Sequence, residues 1–394
     1  MAFELLSGVR VLELALLAPD LLGMHLADLG AEVIKIEQPP GGDYVREVGA
    51  RKVGGLSLMH LRWNRGKKSV TLDLKQPEGQ KLLQELAARA HVVVDGLRAG
   101  AAERCGADYE TLRARNPALV HCALSGAGRS GPYADLATHG VAYDAFAGLA
   151  PPALHADGSP RIPLHTPVGM HAAPLYAALA VCAALLRARE TGRGCRLDVA
   201  ELDVAASWQA EQLGGAPGEP PGERPDLAAS VRYQYYRTAE GRVVLFQASE
   251  RKFWRNFCAA LGRLDLFEAK PGAVAGDHAR GDEALRAELA AIFRTRTRAE
   301  WVRFFIEHDV PGGPVYELRE LPDDPHLRER GLLFEQEHPV AGRLRLVGTP
   351  VRIPGATFEA APAPSAGQHT EEVLCGLLGL PPAEVARLRD RGVV

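Results

Sequence analysis

Apolar and polar positions alternate along this chain with periods that change in a regular order. VRVLEL (Val9–Leu14) is a nearly continuous apolar run, the pattern of a strand buried on both faces. A helical period follows over 21–29 with Gly30 as its stop, and EVIKIE (Glu32–Glu37) predicts a second strand. Strand, helix and strand with short connections make a βαβ unit, which implies parallel strands and a right-handed crossover. SVTLDLK (Ser69–Lys75) alternates as a strand does, PEGQKLLQELAARA predicts a helix with Pro77 in its first turn, and HVVVDGL (91–97) and PALVHCALSG (117–126) add two more strands. This opening region therefore predicts an open, doubly wound α/β sheet, with ligands beyond the C-terminal ends of its strands.

A small-residue helix runs from Ala172 to Arg189 and stops at Thr191-Gly192-Arg193-Gly194. CRLDVAELDVAASWQAEQL adds a short strand and a helix, and Gly214–Asp226 is rich enough in Gly and Pro to be a linker. Beyond it come a hairpin around Glu240-Gly241, helices over 250–261 and 284–293, and the helical stretch TRAEWVRFFIEHDV. These form a smaller α+β domain. The tail from Leu332 has β character and closes with a helix over 371–378.

Composition narrows the function. A hydrophobic share of 46%, a charged share of 24% and a net charge of −3 suit a soluble globular protein and give no electrostatic footprint for nucleic acid. MAFELLSGVRVLEL lacks the order of a signal peptide, and the longest apolar run, Ala177–Leu186, is half a bilayer span. The expectation is a cytoplasmic protein with no membrane partner. Six scattered cysteines without a CxxC pair indicate neither a zinc site nor a disulfide framework, so no metal is expected. The absence of GxGxxG and GxxxxGK[ST] weighs against classical dinucleotide and P-loop binding.

Seven segments fall in a collinear order: LSGVRVLEL, LADLGAEVIKIEQPPGGDYVRE, NRGKKSVTLDLKQPEG, CALSGAGRSGPYAD, AALLRARETGRG, AEWVRFFIEHDVPGGPVYELRELPDDPHLRERG and GQHTEEVLCGLLGL. Together they resemble the family III CoA-transferases (CaiB/BaiF), which include α-methylacyl-CoA racemases. The resemblance implies a Rossmann-like large domain built from both chain ends, residues 1–213 and a return segment 321–394. The small domain, 214–320, opens on the linker at 214–226. It also implies an interlocked homodimer acting on a CoA thioester.

CoA carries phosphates, which need fixed positive charge and free backbone amides. WNRGKKS (Trp63–Ser69) offers Arg65, Lys67 and Lys68; its residue pattern alone equally suits a solvated basic turn. The resemblance puts this segment on the CoA side, and adds Leu72 and Arg104 beside the adenine and phosphates. Two departures are visible: Gly96 stands where the family carries Asn, and Gln38 where Arg often follows the strand.

In family transferases an Asp at the start of the long helix attacks the thioester, a carboxylate acting as nucleophile. That position falls here on Met170, or on Gly169 in the alternative register, and neither can attack. The nearest acids are Asp157, in a turn, and Asp144. The resemblance to racemases places His139 on the catalytic histidine, with Gly140 replacing the usual Asp, and Glu250 on its supporting carboxylate. An imidazole oriented by a carboxylate is a competent base near neutral pH. His171, beside Met170, is a candidate second base and His165 a weaker one. Three readings stand: a CoA-transferase-like enzyme with a non-standard thioester reaction, α-proton transfer on an acyl-CoA (isomerase, epimerase or lyase), and a non-catalytic CoA-ester-binding protein.

Overall fold

The computed structural model describes residues 3–223 and 226–394. The chain divides into two compact units, Met1–Gly214 with Glu329–Val394, and Gly215–Arg328. Residues 224 and 225 of the expected linker lie outside the described residues.

The first unit opens with β1 (Arg10–Leu14), α1 (Asp20–Asp28), β2 (Glu32–Glu37), α2 (Leu58–Trp63), β3 (Lys67–Thr71) and α3 (Pro77–Ala87). It continues with β4 (Val92–Asp95), β5 (Val120–Ser125), α4 (Val141–Phe146), α5 (Val168–Thr191), β6 (Arg196–Ala200) and α6 (Glu201–Ser207). The six strands form one parallel sheet in the order β6-β5-β4-β1-β2-β3, so the winding reverses between β1 and β4. Continuous apolar runs are what such a sheet requires, because helices cover both faces. On one face Val9, Val11, Val33 and Val94 meet Leu22 and Leu26 of α1 and the alanines and Val181 of α5. On the other, Leu12, Ile34, Val70 and Val93 meet Leu83 and Leu86 of α3.

The small residues of α5 let it lie close on the sheet. Ala173, Ala177 and Val181 are fully buried, while Leu175, Tyr176, Leu179 and Leu186 face outward. By length and composition alone α5 could cross a membrane, yet half of its apolar window is buried inside the unit. It ends at Gly192 in the left-handed conformation, whose N–H returns to the Ala188 carbonyl.

The second unit carries an antiparallel sheet of β7 (Gln234–Arg237), β8 (Val243–Phe246) and β9 (Gly312–Val315), with α7 (Arg251–Ala260), α8 (Glu283–Phe293) and α9 (Arg298–Glu307). Its core is aromatic: Tyr236, Phe246, Trp254, Phe257, Phe293, Trp301, Phe304 and Phe305. The strand β9, Gly-Gly-Pro-Val, is not one that propensity predicts. Its position explains it: a Cβ on Gly312 would lie 2.7 Å from both the Leu245 carbonyl oxygen and the Phe305 ring.

The chain then returns to the first unit as a hairpin, β10 (Leu333–His338) and β11 (Gly342–Val347), followed by α10 (Thr370–Leu378) and α11 (Pro382–Asp390). The return covers the open edge of β3. The N–H of His369 bonds to Ser69 O, that of Thr71 to Thr370 Oγ1, and that of Asp73 to Val393 O. Edge groups left unpaired would invite another strand. The alternation at Ser69–Lys75 predicts one strand; the ladder starts two residues earlier and ends at Thr71, within the stretch that these tail contacts cover.

Candidate active site

The basic segment after α2 lies inside the unit. Arg65 is 1% exposed, donates through Nε and Nη2 to both oxygens of Asp28, and through Nη1 to Val347 O at 2.7 Å. Its guanidinium also lies near the rings of Phe334 and Phe358. Lys67 is buried too, its ammonium donating to both oxygens of Glu13 (2.7 and 2.9 Å), to Asp20 O and to Asn64 Oδ1. Lys68 is half-buried between Glu32 and Glu372. As placed, these cations offer no free charge to a phosphate; a buried cation must hold a counter-ion, and each does. Leu72 is likewise a core residue, packed with Leu12 and Leu83.

Next to them Lys35 is enclosed by Asp20, Asp43 and Glu13. Burial alone would lower its ammonium, but the three carboxylates outweigh that and hold it above the usual lysine range. These groups tie β1, β2, β3 and α1 together under the strand ends.

Arg104 is different. It is exposed at the end of the short helix Ala101–Arg104, and no described residue pairs with its guanidinium. Arg98, which the motifs did not single out, is also exposed and unpaired, three residues past β4. Between them and the strand end sits Gly96, whose N–H bonds to Leu14 O. A Cβ there would lie 2.9 Å from Pro19 Cβ and 3.1 Å from Ala15 Cα, so the loops after β1 and β4 meet too closely for a side chain. The absence of the family's Asn at this position has a steric basis. Across the same reversal of strand order, Arg129 pairs with Asp95 at 2.8 Å, and its backbone N–H bonds to Asp198.

The start of α5 is built from α4 and α6. Asp144 is fully buried, and its Oδ1 accepts the backbone N–H groups of Val168 and Gly169, both at 3.0 Å. A carboxylate there offsets the positive end of the helix dipole. Its Oδ2 has no hydrogen-bond partner and faces His165 Nε2 at 3.6 Å, while His165 Nδ1 lies 3.2 Å from Pro163 O. Gly169 has no space for a side chain: a Cβ would stand 2.6 Å from Tyr143 Cβ and 3.2 Å from Glu201 O. Met170 packs partly buried between two clusters, Leu21, Met24, Val45 and Trp63 on one side, and Tyr143, Leu202 and Ala205 on the other. Glu201 is hydrogen-bonded to the Tyr143 hydroxyl, and burial pushes its carboxyl up to about 7.

His171 is half-buried. Burial, then the charge of Arg62, lowers its imidazole below the usual value against an opposing pull from Asp144. It is therefore neutral at neutral pH. His139 is exposed just before α4. Glu250 stands at the N-cap position of α7 in the second unit without a side-chain capping bond, and its carboxylate accepts from Ser249 Oγ at 3.0 Å. His139 and Glu250 thus belong to different units. Asp157 shapes a turn, accepting from the N–H and hydroxyl of Ser159. Of the candidate imidazoles, His165 makes a short contact with a carboxylate, Nε2 to Asp144 Oδ2 at 3.6 Å. Its partner Asp144 was visible in sequence only as an acid two dozen residues upstream, since no local spacing links position 144 to a helix start at 168. Among the described residues no group of His, Cys, Asp and Glu is arranged to hold a metal.

Comparison with known proteins bears on this geometry. The family model for CoA-transferase family III matches residues 6–370. The succinyl-CoA:glutarate CoA-transferase of Homo sapiens is 30% identical, the alignment covering 99% of this chain and 90% of that one. The succinyl-CoA–D-citramalate CoA-transferase of Chloroflexus aurantiacus is 33% identical over 99% of this chain and 98% of its own. Among solved structures, a CAIB/BAIF family protein from Brucella suis superposes with a TM-score of 0.75 at 28% identity, covering 96% of this chain and 100% of that one.

Proposed function

The chain belongs to CoA-transferase family III, and on that membership we propose that it is an enzyme of CoA-thioester chemistry whose route differs from aspartyl transfer. The packing of Met170 carries this reading. A thioether occupies the position where the resemblance expects a nucleophilic carboxylate, and Gly169 has no room to supply one. The relatives' names pair a CoA ester with a carboxylic acid. Carried over, the substrates are a CoA thioester and an acid.

The strand order, which reverses between β1 and β4, supports a Rossmann-like reading with the CoA phosphates beyond the strands' C-terminal ends. Arg98 and Arg104 would meet them there as unpaired guanidiniums. At the α5 start, neutral His171 would take a proton from the carbon next to the thioester carbonyl, and His165, beside Asp144, would serve as its partner. His139 with Glu250 is the pair that the resemblance favours for the same step. The outward apolar face of α5, with Leu175, Tyr176, Leu179 and Leu186, supports a homodimer that buries it. Six free thiols fit the reducing cytoplasm expected.

The same Met170 packing favours a second reading, a CoA-ester-binding protein without turnover. Incubation with an acyl-CoA in heavy water separates the two. Deuterium at the α-carbon supports proton transfer, and tight binding without exchange supports the binder. Exchange of acyl groups between free acid and CoA, with a hydroxylamine-sensitive label on a carboxylate, would return the chain to ordinary transfer and sink the proposed route.

A further inference from the structure

The loop 270–281 of the second unit, KPGAVAGDHARG, is rich in small residues, and a chain of that composition holds one conformation only where other groups fix it. Most of the bonds that fix it are made to its carbonyls. Lys270 O accepts from Arg232 Nη2 and from Trp254 Nε1. Gly272 O accepts from Nε and Nη2 of Arg251 at 2.8 and 2.6 Å, and Ala273 O from the Arg251 N–H at 3.1 Å. The N–H of Asp277 returns to Ser249 O at 2.8 Å. Ser249 and Arg251 are thus both tied to this loop, and between them stands Glu250.

Behind the loop lies Arg232, 1% exposed, its guanidinium 4.5 Å from the centroid of the Trp254 ring. Nη1 lies 3.4 Å from Asp277 Oδ2, and Nε is enclosed without a partner among the described residues. Gly272 makes the approach possible: its φ is +75°, and a Cβ there would collide with Nη1. Stability explains the arrangement poorly. A buried cation loses hydration, and its counter-ion Asp277 keeps a side chain 37% exposed. An apolar side chain would fill the space over Trp254 at lower cost. What the guanidinium adds is a fixed fork of donors, and so a direction. One chain of contacts runs from it through the Asp277 carboxylate and backbone N–H to Ser249, whose Oγ donates to Glu250 Oε2 at 3.0 Å. Glu250 is half-buried and makes no side-chain bond to the start of α7, so its carboxylate is held from Ser249 rather than from the helix.

We propose that Arg232 is a positioning residue: by fixing the loop 270–277 it aims the Glu250 carboxylate through Asp277 and Ser249. The inference rests on the reading of His139 with Glu250 above and adds the group that orients its acid. A carboxylate that orients a base must keep its direction, because a misplacement of about 1 Å can cost about a hundredfold in rate. Arg232 is buried and acts through two residues, not on the reacting atoms.

The test follows two readouts in the full-length protein. One is the carboxyl carbon-13 resonance of Glu250, assigned with Glu250→Gln. The other is deuterium uptake at the α-carbon of glutaryl-CoA and of isobutyryl-CoA in heavy water. Arg232→Gln is expected to shift the resonance and to lower kcat for exchange about tenfold with KM unchanged, the pattern of a group that acts in the transition state. Arg232→Lys, which keeps a charge without the fork, should restore part of the rate. Ser249→Ala removes the last contact of the chain and should reproduce both changes. Leu289→Ala, a cavity in the core of the same unit, should lower Tm and move neither readout. A resonance and a kcat indifferent to Arg232→Gln would overturn the proposal. Equal changes in Leu289→Ala would overturn it too, because the effect would then be one of stability. Should Arg232→Gln fail to fold, Arg232→Lys and Ser249→Ala decide by the same readouts. A resonance that answers to Arg232→Gln while the unmodified protein takes up no deuterium would refute the reading of Glu250 and leave the clamp standing.

Discussion

The imidazole Nε2 of His165 lies 3.6 Å from Oδ2 of Asp144, the carboxylate whose other oxygen receives the backbone N–H groups of Val168 and Gly169. One buried acid thus caps the long helix and faces the loop that feeds it. The helix start lacks a carboxylate of its own and borrows one from α4.

Removing that acid exposes its structural weight. Asp144→Ala leaves two amides without an acceptor in a dry site, and should cost about 1–3 kcal/mol in denaturant unfolding. Asp144→Asn keeps an oxygen for the amides and should cost less. A loss under about 0.5 kcal/mol for the alanine variant would mean that water replaces the carboxylate.

Glu201 should make stability fall as pH rises. Its carboxyl stands at about 7 in the folded chain against an ordinary 4.5, so between these values the folded state holds a proton that the unfolded state has released. Stability is then greatest below the lower value and declines by about 1.4 kcal/mol per pH unit through the window, roughly 3 kcal/mol in all. Glu201→Gln should lack this slope. Parallel urea titrations of the two proteins across the window would show whether the slope belongs to Glu201.

Arginines of this unit should separate into two classes. Asp28→Ala strands Arg65 in the interior and is expected to cost about 3–5 kcal/mol, read as a lowered Tm. Arg104→Ala should leave Tm unchanged and weaken CoA about tenfold, the scale of a lost charge-assisted hydrogen bond. CoA affinity that ignores Arg104→Ala would remove it from the phosphate site.

Gly96→Asn supplies the amide that the family carries, in a place where Cβ already meets Pro19 and Ala15. Overpacking of this kind costs about 1–3 kcal/mol. The variant should therefore melt earlier without gaining CoA affinity; a gain would mean that the two loops part readily.

Much of the fold was legible because its signals are local. Strand β2 and helix α3 lie where period and punctuation put them, since buried parallel strands and amphipathic helices write their environment into consecutive residues. Strand β9 was not, because its glycines answer to Leu245 and Phe305, distant in sequence. The last helix, α11, was likewise passed over in the tail. The charges around the site misled for the same reason. Arg65 and Lys67 read as available cations, and their partners Asp28 and Glu13 stand 37 and 54 residues away. Met170 stands in the sequence where the resemblance expects an acid, but nothing in the sequence linked Asp144, which reaches the same helix end from another element, to that position.

The C-terminal segment that closes over β3 has a consequence for synthesis. The amide of Asp73 bonds to Val393 O, and the whole of unit two separates these residues along the chain. While the chain is still on the ribosome, that flank of the parallel ladder stays bare until the segment 369–393 has been made. A stalled or clipped product would carry a sticky rim, and quality control would meet it as an aggregation-prone intermediate.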